Sequence, residues 1–185
     1  AGLTTVIEGV GTATGRPFGR YRYTGALRPQ VAGVPVLVPL AWWAMSVPAR
    51  DAARAALGGA ETRGRRIVLG AAALTAWDLF LDPQMVGEGY WRWASAGRYR
   101  GIPATNYLGW FLTSIAVMGV LELAVPVEDE RPSDDLVAVY GTMTAMETVG
   151  FAAFFRDRVV ALVGGAAMAP IAIAAVAGAL RARRA

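Results

Sequence analysis

The chain of 185 residues has no cysteine, no histidine and no lysine. Without cysteine and histidine it has no thiol nucleophile, no imidazole base, no zinc site of the usual ligand types and no histidine-ligated iron. Without lysine it can form neither the Schiff base of a retinal pigment nor a P-loop. All 18 basic residues are therefore arginine. Carboxylates, hydroxyls, amides and arginine are the groups left for chemistry.

Charge is also scarce. Only 17% of the residues are charged, against about 25% in ordinary soluble domains, whereas 55% are apolar. This composition argues against a disordered tail and against a nucleic-acid-binding module. The length allows one compact domain, and we expect residues 1–185 to form a single integral membrane domain.

The apolar residues are gathered into long runs. A helix that crosses a bilayer needs about 20 mostly apolar residues. Five segments meet or approach that length and predict spanning helices, at 33–49, 66–82, 104–125, 135–155 and 158–180. The alternative is a soluble helical bundle with an apolar core, but near-continuous apolar runs do not resemble amphipathic stripes. Residues 1–12 resemble the last turns of another helix whose beginning is missing, so we expect a truncated N-terminus.

The predicted fold is all-α: a polytopic transmembrane bundle of about five helices plus the end of an incomplete N-terminal helix. The predicted location is the cell membrane. We call the membrane face that carries residues 13–32 side X and the opposite face side Y. Each side receives nine arginines at or between the segment ends, including Arg50 and Arg54 on side Y, so the positive-inside rule does not orient the chain.

Carboxylates in membrane segments are costly and usually face the bundle interior or a wet cavity. Four are candidates: Glu8, Asp78, Glu122 and Glu147. All but Glu122 lie toward side X, where Asp82 and Asn106 flank the loop 83–103. Glu122 lies near side Y and is interpreted as an interfacial charge, as the cluster Glu128-Asp129-Glu130 is interpreted as a solvated turn. We therefore predict a polar site at side X.

Two segments at side X are dense in arginine and aromatic residues, 15–25 and 82–107. Glycine and proline punctuate both, so neither is expected to be a continuous helix. They are either a rim over the carboxylates or a pair of interfacial loops. Most of the aromatic residues at segment ends, Trp42 among them, are interpreted as an interfacial aromatic belt.

Asp78 and Asp82 form a D-x-x-x-D pair on one helix face. Such pairs can hold Mg²⁺ through a substrate diphosphate, as in membrane prenyltransferases. Those enzymes need a second acidic motif of the same kind, and the sequence contains none. The pair alone is weak support for that chemistry.

The segments Trp77–Trp93 and Gly97–Ser114 resemble the signature region of the membrane carotenoid biosynthesis hydratases, the γ-carotene 1′,2′-hydratase and bisanhydrobacterioruberin hydratase group. The matching positions are Asp78, Asp82-Pro83, Tyr90-Trp91-Trp93 and Gly101-Pro103-Asn106-Gly109-Trp110. Segments 8–24 and 34–42 resemble the family as well, whereas the last segment matches only in hydrophobicity.

The resemblance implies a cofactor-independent hydro-lyase that adds water to a terminal double bond of an acyclic or half-cyclic carotenoid, with no metal. A carboxylic acid would protonate the alkene, and water would capture the tertiary carbocation. We assign Asp78 as the leading general acid, Asp82 or Glu8 to positioning water or balancing charge, and Glu147 as a second acid candidate. The implied substrate-binding residues are Tyr21, Tyr23, Trp77, Tyr90, Trp91, Trp93, Asn106 and Trp110.

Two other classes of function stay open. A membrane prenyltransferase or a carotenoid cyclase would use the Asp78/Asp82 pair on a related isoprenoid. A non-enzymatic transporter or scaffold is the third possibility. It is disfavoured because the sequence shows no inverted repeat and its polar groups lie at one face instead of the midplane. The expected partners are a lipid-soluble carotenoid and membrane lipid.

Overall fold

The computed structural model describes residues 1–125 and 131–184. Within these residues the helices are α1 (Gly2–Thr14), α2 (Leu37–Leu57), α3 (Arg63–Gly87), α4 (Ala104–Ala124), α5 (Asp134–Ala153) and α6 (Arg158–Ala182). The strands are β1 (Tyr21–Tyr23), β2 (Gln30–Val31), β3 (Val34–Pro35) and β4 (Trp91–Trp93). The predicted turn at Glu128-Asp129-Glu130 lies outside the described residues.

The helices form one bundle in which α5 packs along α6, α3 along α4, and α2 between α3 and α6. Helix α1 packs against α2 and α4. Small residues bring the helix axes close together. A Cβ atom at Gly178 of α6 would lie 1.8 Å from the Ala55 carbonyl oxygen of α2. The predicted all-α bundle is confirmed.

Helices α4, α5 and α6 are long and apolar enough to cross a membrane, by length and composition. They correspond to the predicted spans 104–125, 135–155 and 158–180. Helices α2 and α3 are of similar length, 21 and 25 residues, and contain three and five charged residues. At a rise of about 1.5 Å per residue, each is also long enough to cross the hydrocarbon core.

The predicted ends of α2 and α3 are wrong. Helix α2 continues from the apolar run through Pro48 to Leu57, because residues 49–57 are rich in alanine and contain no further proline and no glycine before Gly58. Helix α3 continues through Pro83 to Gly87. Proline has no N–H to donate to the Leu79 carbonyl. The Tyr99 hydroxyl donates to that carbonyl instead, at 2.8 Å.

A buried ionic cluster at side Y corrects two further expectations. Arg50 and Arg54 do not lie in a loop but in α2, where both are buried. Glu122 is not an interfacial charge: it is also buried and accepts from Arg50 at 2.8 Å and from the Arg66 Nε at 2.8 Å. Arg50 donates further to the Val125 carbonyl at 2.6 Å. Paired charges can be buried here because each is neutralised by its neighbour.

We expect Glu122→Gln to lower the free energy of unfolding by about 3–5 kcal/mol, because it leaves the buried Arg50 guanidinium without a carboxylate and removes one of the two carboxylates of the half-buried Arg66. Thermal unfolding in lipid nanodiscs measures the change. Asp134→Asn is the matched control. Its ion pair with Arg183 is solvent-exposed, with side-chain exposures of 44% and 61%, and is expected to contribute less than about 1 kcal/mol. Equal unfolding temperatures for the two variants would contradict the prediction.

Candidate functional site

A two-stranded antiparallel ribbon covers the side-X end of the bundle. Strands β1 and β4 pair Tyr21 with Trp93 and Tyr23 with Trp91. Side chains alternate between the faces of a strand, so the four rings share one face and the arginines between them point away. The ring centroids of Tyr21 and Trp93 are 4.9 Å apart. The arginine-rich and aromatic segments thus form a cap over the site.

Phe18 anchors the segment that leads into this ribbon. Its ring is 2% exposed and lies between two glycines, Gly11 of α1 and Gly109 of α4. A Cβ atom would lie 2.9 Å from the ring at Gly11 and 2.8 Å from it at Gly109. The two helices therefore need glycine at these positions to hold the turn that brings β1 over the bundle.

Glu8 of α1 is buried beneath the ribbon and accepts three hydrogen bonds. The Tyr21 hydroxyl donates to Oε2, the Tyr23 hydroxyl donates to the same oxygen at 2.9 Å, and the Trp42 indole donates to Oε1 at 3.1 Å. A carboxylate that accepts from several donors is favoured in its charged form. The arrangement thus places a carboxyl group that accepts three hydrogen bonds against aromatic faces.

The two tyrosines are neutral donors. Burial, and after it the Glu8 carboxylate, raises the pKa of the Tyr21 and Tyr23 hydroxyls well above the ordinary tyrosine value. Both hydroxyls therefore keep their protons at any physiological pH.

Asp78 and Asp82 form the second acidic group. Both are almost fully buried on α3, and the Asn106 amide of α4 donates to Oδ2 of Asp78 at 3.0 Å and to Oδ2 of Asp82. The two carboxyl groups lie close together, because both accept from the same amide nitrogen. Two carboxylates this close in a buried site cannot both be charged without a large penalty, so the geometry favours one shared proton.

One cavity joins these groups. It encloses about 570 Å³, including its open mouth. Its polar lining is Glu8, Asp82 and Asn106, together with the ring hydroxyls of the ribbon. Its apolar lining is Leu27, Leu37, Val38, Ala41, Leu81 and Met85, with the rings of Phe18, Trp42, Trp91, Trp93 and Trp110. We call this cavity the end-group pocket.

The structure places several predicted site residues in this pocket and others outside it. Asp82 lines the pocket, whereas Asp78 lies behind it and reaches it only through Asn106 and Asp82. Trp77 contacts the back of Trp110, with ring centroids 6.4 Å apart, and lies near Glu147 of α5. Trp77, Tyr90, Asp78 and Glu147 do not line the pocket.

Trp42 lines the pocket, although the sequence analysis did not place it in the site. Its ring stacks on Trp110 at 3.8 Å between centroids, and its indole N–H holds Glu8. The sequence places Trp42 among interfacial aromatics, since the belt pattern is the same. Only the structure separates the two neighbouring tryptophans: Trp42 is 1% exposed, whereas Trp43 is exposed.

The residues that the structure describes contain no group of three or more acidic side chains placed to hold a metal ion. Asp78 and Asp82 are turned toward one amide donor. Their arrangement suits a shared proton better than two carboxylates spread around a cation and its phosphate ligands.

Comparison with known proteins gives two matches. The model of a family described as "Carotenoid biosynthesis protein" matches residues 1–180. A bisanhydrobacterioruberin hydratase from Haloarcula japonica is 35% identical over 115 residues, which cover 60% of this chain and 39% of the relative. The match thus spans about two-fifths of that relative's length. No solved structure matches the chain significantly.

Proposed function

The chain belongs to the carotenoid biosynthesis protein family, and on that premise we propose that it is a hydro-lyase of the cell membrane that adds water to a terminal double bond of a carotenoid. The substrate is an acyclic or half-cyclic carotenoid of the γ-carotene or bisanhydrobacterioruberin type. The whole of residues 1–185 forms one catalytic membrane domain. No cofactor takes part in the reaction.

One observation carries the proposal: the end-group pocket sets Glu8, held by three donors, against the Asp82–Asp78 pair. Alkene hydration needs an acid to deliver a proton and a negative group to stabilise the resulting cation. The two acidic groups match these two needs. Glu8 accepts from neutral donors and can supply the negative charge, whereas the Asp82–Asp78 pair shares a proton that it can deliver. The apolar mouth suits a hydrocarbon chain that lies in lipid.

The first step is protonation of the double bond. Asp82 gives its proton to the less substituted alkene carbon, and the π electrons form the new C–H bond. The positive charge then lies on the tertiary carbon. We assign this role to Asp82 instead of Asp78, which the sequence favours, because Asp82 lines the pocket and Asp78 does not.

The second step is capture of the cation by water. The Glu8 carboxylate and the faces of Trp42, Trp91 and Trp93 stabilise the positive charge electrostatically. The water oxygen forms the new C–O bond, and the proton that water loses passes to Glu8. The sum of the two steps is alkene plus water giving a tertiary alcohol.

Expression of the chain in a host that accumulates acyclic carotenoids tests the proposal. Pigments are extracted and analysed by mass spectrometry. We expect a product heavier by one or two water molecules. An unchanged mass with an altered absorption spectrum would indicate cyclisation instead, and a gain of one isoprenyl unit would indicate transfer. Unmodified substrate in the presence of folded protein would overturn the enzyme proposal altogether.

A further inference from the structure

The lining of the end-group pocket changes from buried and polar to exposed and apolar. Its polar residues Glu8, Asp82 and Asn106 are at most 4% exposed. Among the described residues that line the pocket, Leu37 alone is exposed, at 58%. Leu37 is the first residue of α2. The pocket therefore has its polar groups at the bottom and opens beside the start of α2.

This opening lies between two helices. Leu37 and Ala41 are one turn apart on α2, and Leu81 and Met85 are one turn apart on α3. All four residues line the pocket, and α2 and α3 pack along each other. We call these four residues the lateral mouth. All are apolar, and the three besides Leu37 are half-buried.

The surface next to the lateral mouth is suited to lipid. The exposed residues that follow Leu37 on α2 are Leu40, Trp43 and Ala44, and none of them is charged. At about 1.5 Å per residue, this apolar surface extends about 9 Å from Leu37 to Trp43, toward side Y. A mouth that opened into water would be expected to have polar or charged neighbours. The lateral mouth therefore faces the hydrocarbon of the bilayer.

The ribbon separates the pocket from the side-X surface. Tyr21 and Trp93 line the pocket and also a second cavity, whose lining includes Arg20, Arg22 and Arg92. These two rings therefore form a wall between the pocket and an arginine-lined surface. A hydrocarbon that arrived from this surface would pass three charged groups and would have to break the hydrogen bond between the tyrosine and the carboxylate below it. At the lateral mouth it would meet only apolar side chains.

We propose that the carotenoid enters the end-group pocket sideways from the bilayer, between the start of α2 and the end of α3, and that the rest of its chain stays in the lipid against Leu37 and Leu40. The inference takes its ligand from the proposed function and narrows the substrate class. The pocket reads only the end group, so the length of the chain outside the mouth does not matter. A polar substituent on the part of the chain that lies in the mouth would lose its water without gaining a partner.

Photolabelling of the unmodified chain in lipid nanodiscs tests the route. The probe is an acyclic isoprenoid hydrocarbon with an intact terminal double bond and a diazirine further along its chain. We expect adducts on the first half of α2 and the last turns of α3 that an excess of carotenoid removes. Adducts on Leu112, which is exposed on α4, report probe dissolved in lipid and should persist. Competed adducts only on other helices, or none at all, would overturn the route.

Ala41→Trp narrows the lateral mouth by size. We expect KM for carotenoid hydration to rise at least about tenfold, since small changes in the shape of an apolar site discriminate by this factor or more, and the competed adducts to disappear. Ala152→Trp is the matched control. Ala152 is exposed on α5 and does not line the pocket, so both readouts should stay unchanged. An unchanged KM for Ala41→Trp would overturn the route. The labelling needs no variant, so it decides the proposal even if Ala41→Trp does not fold.

Labelling does not depend on turnover, so the route and the reaction are tested separately. Competed labelling at the lateral mouth without any hydrated product would overturn the proposed function and support the route. Hydrated product together with competed labelling elsewhere would overturn the route and support the proposed function.

Discussion

Asp82→Asn is expected to lower kcat for carotenoid hydration by about 10²–10⁴-fold, the usual contribution of a general acid. Asparagine has the size of the carboxyl group, and its carbonyl can still accept from the Asn106 amide that now donates to Asp82. It has no acidic proton to give to an alkene. The protein should therefore stay folded, with substrate binding little changed. Product formation against time in nanodiscs, with thermal unfolding measured in parallel, checks both expectations.

Asp78→Asn decides which carboxyl group is the donor. Asp78 reaches the end-group pocket only through its neighbours, so this variant keeps the donor but removes the partner that shares its proton. We expect a smaller loss of kcat than for Asp82→Asn. The reverse order, with Asp78→Asn inactive and Asp82→Asn active, would return the acid role to Asp78.

The position of the helices follows from the sequence because the signal is local. A run of about 20 apolar residues predicts a span wherever it occurs, and three of the predicted spans meet the same measure in the structure. The ends of α2 were missed for the same reason. Hydropathy falls at Arg50, but helix propensity stays high to Leu57, and only the structure shows the buried carboxylates that permit the charge.

The site follows from the sequence only in part. Carboxylates at side X can be expected from their cost in a membrane, and the alternation of aromatic and arginine residues in 21–23 and 91–93 is visible in the sequence. The pairing of these two segments is not visible in the sequence, because all of α2 and α3 lies between the two three-residue strands and no local signal joins them. The same applies to Glu8 and Trp42, which come from different helices and meet only in the folded bundle.

A contact with a segment distant in the sequence also explains why the proposed proton donor changes from Asp78 to Asp82. Their spacing puts both on one face of α3, and the sequence analysis assigns the acid role to Asp78 without a local feature that separates the two residues. The structure favours Asp82 as the donor because Asp82 and Trp91 of β4 line the same cavity. Asp78 lies one turn deeper in the bundle, against α4. A tertiary contact therefore decides between two residues that the local pattern treats alike.

Glu8→Gln is expected to lower kcat by about 10²–10³-fold, because it removes the negative charge that faces the developing cation. The amide is close in size, but its NH₂ group cannot accept from the donors that surround the carboxylate, so one of the three hydrogen bonds at least is lost. Tyr23→Phe is the graded control. It removes one donor, leaves the charge in place and should cost less activity than Glu8→Gln.

Binding of a cationic analogue separates the electrostatic role of Glu8 from a structural one. An isoprenoid that carries a tertiary ammonium group at the position of the carbocation mimics the charge of the intermediate, and tight binding of such mimics reports transition-state complementarity. The unmodified chain and Asp82→Asn should both bind it, whereas Glu8→Gln should bind it at least about tenfold more weakly. If Glu8→Gln binds the cation as tightly as the unmodified chain, Glu8 does not stabilise the charge. The aromatic faces of Trp42, Trp91 and Trp93 would then have to supply that stabilisation alone.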